Sequence, residues 1–126
     1  RDPAIRSYFK GFKYVAPDRR FDPRAALALD FGGEEARVEF PGAGHAPDNL
    51  VVYLPDKRVL FGGCMILAME AGSPGNLADG DVPRWIGSLA FIEAEGCDIV
   101  VPGHGRPGGP SLVARTGEVL QASLGR

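Results

Sequence analysis

Residues 41–64 read PGAGHAPDNLVVYLPDKRVLFGGC, and the fold is decided here. The stretch begins with a glycine-rich turn carrying His45. A nearly continuous apolar run follows, Leu50-Val51-Val52-Tyr53-Leu54, which suits a central strand covered on both faces. Pro55-Asp56-Lys57-Arg58 turns the chain, and Val59-Leu60-Phe61 is a second short strand ending at Gly62-Gly63-Cys64. Downstream, Ile99-Val100-Val101 reads as a buried strand leading into Pro102-Gly103-His104-Gly105. Glycine-rich turns at strand ends bend tightly and lift a side chain off the sheet edge. His45, Cys64 and His104 comprise both histidines and one of the two cysteines of the chain. Two imidazoles and a thiolate make a zinc-type donor set. Each is weak alone, since a loop His is usually an ordinary surface residue and Cys is among the most buried types.

Working outward, Leu27, Leu29 and Phe31 alternate with Ala28 and Asp30 as a half-buried strand does. Gly32-Gly33 signals a hairpin, and Ala36, Val38 and Phe40 continue the alternation on its return arm. Further upstream, Val15 to Arg24 reads as an irregular connection. Asp2-Pro3 is expected to open a helix with Ile5, Phe9 and Phe12 at helical spacing. Downstream, Met65 to Gly80 has no period, and a loop of that length is usually functional or mobile. Asp81 and Pro83 start a helix with Trp85, Leu89 and Ile92 in its apolar stripe, Ile86 and Ala90 alongside, and Gly96 at its end. Ser111 is expected to cap a last helix with Leu112, Val113, Val119, Leu120 and Leu124 inward and Gly125 at its end. The order predicts an α/β domain, a mixed sheet with helices on one face. The other sheet face is also apolar by pattern, which would mark an interface or a missing partner.

The 126 residues suffice for one domain, with 44 % hydrophobic and 24 % charged residues, a globular composition. A net charge of −2 gives no electrostatic case for nucleic acid, and no apolar run approaches a membrane span. The chain opens Arg1-Asp2-Pro3 without an initiator Met, as an internal segment would, so the lack of a signal-peptide pattern says little about location. Cys97 sits beside Asp98-Ile99-Val100-Val101 and is expected as a packed free thiol, not the partner of Cys64 in a disulfide.

Taken together, residues 41–64, Gly75-Asn76-Leu77-Ala78-Asp79 and Val101-Pro102-Gly103-His104-Gly105 closely resemble the subclass B1 metallo-β-lactamases, from about Phe21 onward. Glyoxalase II-like hydrolases of the wider superfamily carry Asp where this chain has Cys64, and the subclass B2 enzymes differ around the Cys and the last His. The resemblance implies an αββα sandwich with two zinc ions, of which residues 1–126 would form a single C-terminal half-domain. It makes His45 a ligand of the first zinc, and Cys64 and His104 ligands of the second. It makes Asn76 a catalytic residue that helps polarise the β-lactam carbonyl while zinc-activated hydroxide attacks. The N-terminal His-x-His-x-Asp motif of the family has no counterpart here. Leu67 stands where many members have a Lys that pairs with the substrate carboxylate. The reading is therefore half of a β-lactam hydrolase conferring antibiotic resistance, periplasmic by resemblance, weak or inactive by itself. One zinc, held by the three ligands, is a further expectation for this half. Two alternatives stand: a non-catalytic zinc-binding half-domain that pairs with a copy of itself, and a related metallo-hydrolase acting on another ester or amide.

Overall fold

The computed structural model describes residues 9–18, 20 and 22–125. Five strands form one sheet in the order of the chain: β1 Leu27–Asp30, β2 Glu35–Glu39, β3 Val51–Leu54, β4 Val59–Gly63 and β5 Ile99–Pro102. β1 to β4 pair antiparallel, whereas β5 lies parallel to β4. The β1–β2 loop places Gly32 at φ 81° and Gly33 at φ 97°, the positive pair that a two-residue hairpin turn of type I′ requires. The parallel pairing of β4 and β5 needs a crossover, supplied by the long loop from Met65 and helix α1 (Val82–Ala94). Helix α2 (Ser111–Leu124) follows β5 and packs against α1.

The registers sort the side chains into two faces. Arg37, Tyr53, Leu60 and Val100 stand opposite one another along one face. Val51, Tyr53, Leu60 and Val100 join Trp85, Leu89 and Ile92 of α1 and Leu112, Val113 and Leu120 of α2 in one buried core. Val38, Val52, Phe61 and Val101 stand opposite one another on the other face, which neither helix covers. The expected mixed sheet with helices on one side is therefore present.

Several local expectations are corrected. The proposed first helix falls largely on residues 1–8, outside the described residues, and Phe9 to Gly11 form a turn instead. Phe9 and Phe12 meet there edge to face, with centroids 6.0 Å apart. The run Val51–Leu54 is fully buried on its Val51/Tyr53 side only, and Leu50 is exposed. Asp81 caps α1 as read, its Oδ1 accepting from the Arg84 N–H at 3.0 Å, but Ala90 points outward. Ser111 does not cap α2. It is the first helical residue, behind Pro110 at the cap position with no side-chain cap bond. Leu124 is exposed, because the last turn of α2 runs past the core.

Candidate metal centre

β4 and β5 end side by side because they run parallel, and Gly63 is paired with Pro102. The turns that follow, Cys64 after β4 and Gly103-His104 after β5, therefore leave the sheet at the same edge. The carboxyl ends of parallel strands are where such sheets gather ligands. Gly103 makes the approach possible. A Cβ there would lie 2.7 Å from the Cys64 amide nitrogen and 2.7 Å from the Gly63 carbonyl carbon, so only glycine lets the two turns touch. The result is Cys64 Sγ at 3.8 Å from His104 Nε2. Two ligands of one tetrahedral zinc, with zinc–sulfur and zinc–nitrogen bonds of ordinary length, stand about 3.6 Å apart, and the pair matches that spacing.

His45 lines the same cleft from the turn before β3. Its turn is pinned to α1: the Asp81 N–H donates to Gly44 O at 2.8 Å, and Ser88 Oγ donates to Ala43 O at 2.8 Å. Asn49 grips Ala46, accepting from its N–H at 3.0 Å and donating to its carbonyl. His45, Cys64, His104 and Asn76 all line one cleft of ≈ 360 Å³, whose other walls are Ile66, Leu67, Ala68, Ala71, Ser73, Pro74 and Gly75. Asn76 is exposed, and its Oδ1 accepts from the Ala78 N–H at 3.0 Å, which leaves the amide NH₂ free to donate. A larger cleft of ≈ 530 Å³, lined in part by Arg58, Cys97, Asp98 and Ser111, lies at the other end of the helices. Cys97 is a free, buried thiol, and its burial pushes the thiol up. Both histidines lie in the smaller cleft, so the chemistry gathers there despite its size.

The structure thus brings Cys64 and His104 into one pair and places His45 and Asn76 on the same cleft. It does not join His45 to the pair. Among the described residues no group of three or more His, Cys, Asp or Glu side chains comes close enough to hold a metal ion. As a donor set the pair fits zinc, which accepts one thiolate and one imidazole, and is incomplete for it.

Two features were missed by sequence reasoning. Thr116 is fully buried in α2; its Oγ1 accepts from the Leu67 N–H at 3.0 Å and donates to Leu112 O at 2.7 Å. Arg115 donates to Met69 O at 3.3 Å and Ala71 O at 3.0 Å. Together they fasten the cleft wall to α2. The available signal was Thr116 falling four residues after Leu112 and four before Leu120, inside the apolar stripe.

The sequence and fold are shared with known proteins. The metallo-beta-lactamase type 2 of Bacteroides fragilis is 39 % identical over 106 residues, covering 82 % of this chain and 42 % of that protein. That of Pseudomonas aeruginosa is 40 % identical over 83 residues, covering 64 % of this chain and 32 % of that protein. The solved metallo-beta-lactamase from Pontibacter korlensis superposes with a TM-score of 0.79 at 34 % identity, over 94 % of this chain and 55 % of that one. The chain spans about two-fifths or less of these two curated relatives and just over half of the solved one. A family profile described as the Metallo-beta-lactamase superfamily matches residues 3–104, most of the sequence, and the chain belongs to that superfamily.

Proposed function

We propose that this chain is the C-terminal, zinc-binding half of a subclass B1 metallo-β-lactamase domain and that the complete domain hydrolyses the β-lactam amide bond. The observation that carries the reading is the Cys64–His104 pair, 3.8 Å apart, in the cleft that also holds His45 and Asn76. Cys64, where the wider superfamily has Asp, supports the B1 assignment. Cys64 and His104 would hold one zinc and His45 would help hold another, the remaining ligands coming from the other half of the domain. When bound, zinc supplies Lewis acidity toward the lactam carbonyl and makes hydroxide available at neutral pH. Asn76 donates its amide hydrogens to the carbonyl oxygen as that oxygen gathers negative charge. Ile66, Leu67, Ala68 and Pro74 pack the apolar parts of the substrate and exclude water. Leu67 offers the substrate carboxylate no charge, so its hold on that group is weaker than a Lys would give. The uncovered apolar sheet face and the coverage of about 55 % of the Pontibacter korlensis protein support a sandwich completed by a second half. A periplasmic location and a role in antibiotic resistance follow from the family resemblance.

A second reading is favoured by the same uncovered face: a zinc-binding half-domain that pairs with its own copy. Native mass spectrometry in zinc-containing ammonium acetate, with nitrocefin turnover before and after EDTA, separates the two. The lactamase reading expects zinc bound through Cys64, lost in Cys64→Ala, and turnover that EDTA abolishes once the N-terminal half is supplied. A homodimer with zinc and no turnover in the presence of that half establishes the second reading. Turnover that survives EDTA overturns both.

A further inference from the structure

Trp85 is the single tryptophan of the chain and is fully buried in the first turns of α1. The two turns that carry His45 and Cys64 meet on its indole. The His45 ring packs against it edge to face, with centroids 5.5 Å apart and planes at 86°. Its Nε1–H donates to Met65 O at 2.9 Å, the carbonyl directly after Cys64. Gly44 closes the contact. A Cβ there would lie 2.5 Å from Met65 Sδ and 3.0 Å from Trp85 Cδ1, so the three groups meet with no room for a methyl. Filling this part of the core needs only apolar bulk. An N–H aimed at the carbonyl beside Cys64, with a ring edge on His45, is more than core filling needs.

We propose that Trp85 is a positioning residue that locks the His45 turn and the Cys64 turn into one rigid unit, so that both candidate zinc ligands are pre-oriented together. The proposal rests on the zinc reading above. Partners behind the ligands fix ring orientation and ligand geometry, and their loss typically weakens metal binding about 10- to 100-fold. Trp85→Phe keeps an aromatic ring at this position and removes the N–H. Gly44→Ala keeps both Trp85 and Met65 in the sequence and crowds their side chains with the added methyl.

The test is apparent zinc affinity of the 126-residue chain, measured by competition with a chromogenic chelator. The thiolate-to-cobalt charge-transfer band of the Co(II) form reports on Cys64 separately. Trp85→Phe and Gly44→Ala should each weaken zinc binding about 10-fold and diminish the cobalt band. Ile92→Val, a core truncation further along the same helix, should lower the thermal midpoint and leave both readouts at wild-type values. Wild-type affinity and band in Trp85→Phe overturn the proposal while leaving the zinc reading intact. If that variant does not fold, Gly44→Ala decides by the same criterion. Equal loss in Ile92→Val also overturns it, since the effect would then be one of stability. A wild-type chain that takes up neither metal overturns the zinc reading and this proposal together.

Discussion

Leu60 and Phe61 are neighbours in β4 and point to opposite faces of one sheet. Leu60 is fully buried beneath the helices, in contact with the core built from Trp85, Ile92 and Leu120. Phe61 is 43 % exposed and stands opposite Val52 and Val101 on the bare face, where Ile99 is 46 % exposed. The two faces are comparably apolar, yet among the described residues only one is covered. Hydrophobicity alone therefore cannot tell which side of a strand is buried; the chain must also supply the layer that covers it. A soluble protein rarely leaves a contiguous apolar sheet face to water, which is the physical case for a covering half or a second copy.

The largest expected effect tests that contrast. Leu60→Ala should cost about 2–5 kcal/mol by leaving a cavity in a closed core, enough to unfold a marginally stable domain. Phe61→Ala should cost about 1–2 kcal/mol in the chain alone, since it loses cross-strand contacts and only part of a burial. Urea denaturation of each variant gives the two numbers. Equal costs would mean that the bare face is already covered, by self-association, in solution. With the proposed covering half bound, the Phe61 cost should rise toward that of Leu60.

Much of this contrast was legible in the sequence, and what was not has identifiable causes. The alternation in Leu27–Asp30, the Gly32-Gly33 turn and the Asp81-Pro83 helix start are local signals, and local chemistry settles them. The burial of Val51–Leu54 on one face only was not legible, because a continuous apolar run looks the same whether or not the second layer is present. Ser111 failed as a cap because Pro110 already takes the position. At the site, the three candidate residues could be picked out by type and spacing, but which of them come close together could not. Cys64 meets His104 through the parallel pairing of β4 with β5 and the missing Cβ of Gly103, both set by tertiary structure. The separation of His45 from that pair likewise depends on how its turn is tied to α1.

Thr116 provides a sharper test, because it joins the covered side of the sheet to the cleft. Thr116→Val preserves shape and leaves the Leu67 N–H without its buried acceptor, a loss of about 1–3 kcal/mol. The same change should loosen the wall formed by Leu67 and Ala68, seen as faster amide hydrogen exchange there than in β3. If exchange is unchanged, the two bonds from Arg115 suffice to hold the wall.

The smallest effect lies at the edge where the covered face turns polar. Glu39 is buried on β2; its Oε1 lies 3.5 Å from Arg37, which also donates to Glu95 at 3.2 Å, and its Oε2 has no hydrogen-bond partner among the described residues. Burial first, and then the neighbouring Glu95 carboxylate, push the Glu39 carboxyl above its usual range, while Arg37 pulls it down. The folded state therefore holds this proton more tightly than the unfolded chain does. Its contribution is fully present below the unfolded carboxylate value and is lost as pH rises through the raised folded value. Asp22 and Asp98 are held low by Arg24 and Arg58 and act in the opposite sense, but both are exposed, so a variant is needed to isolate Glu39. Glu39→Gln should remove that loss: between mildly acidic and neutral pH, its urea midpoint should fall less than that of the wild type. Parallel midpoints in the two proteins would mean that Arg37 fully compensates the buried charge, and that the polar edge is as well satisfied as the apolar core beside it.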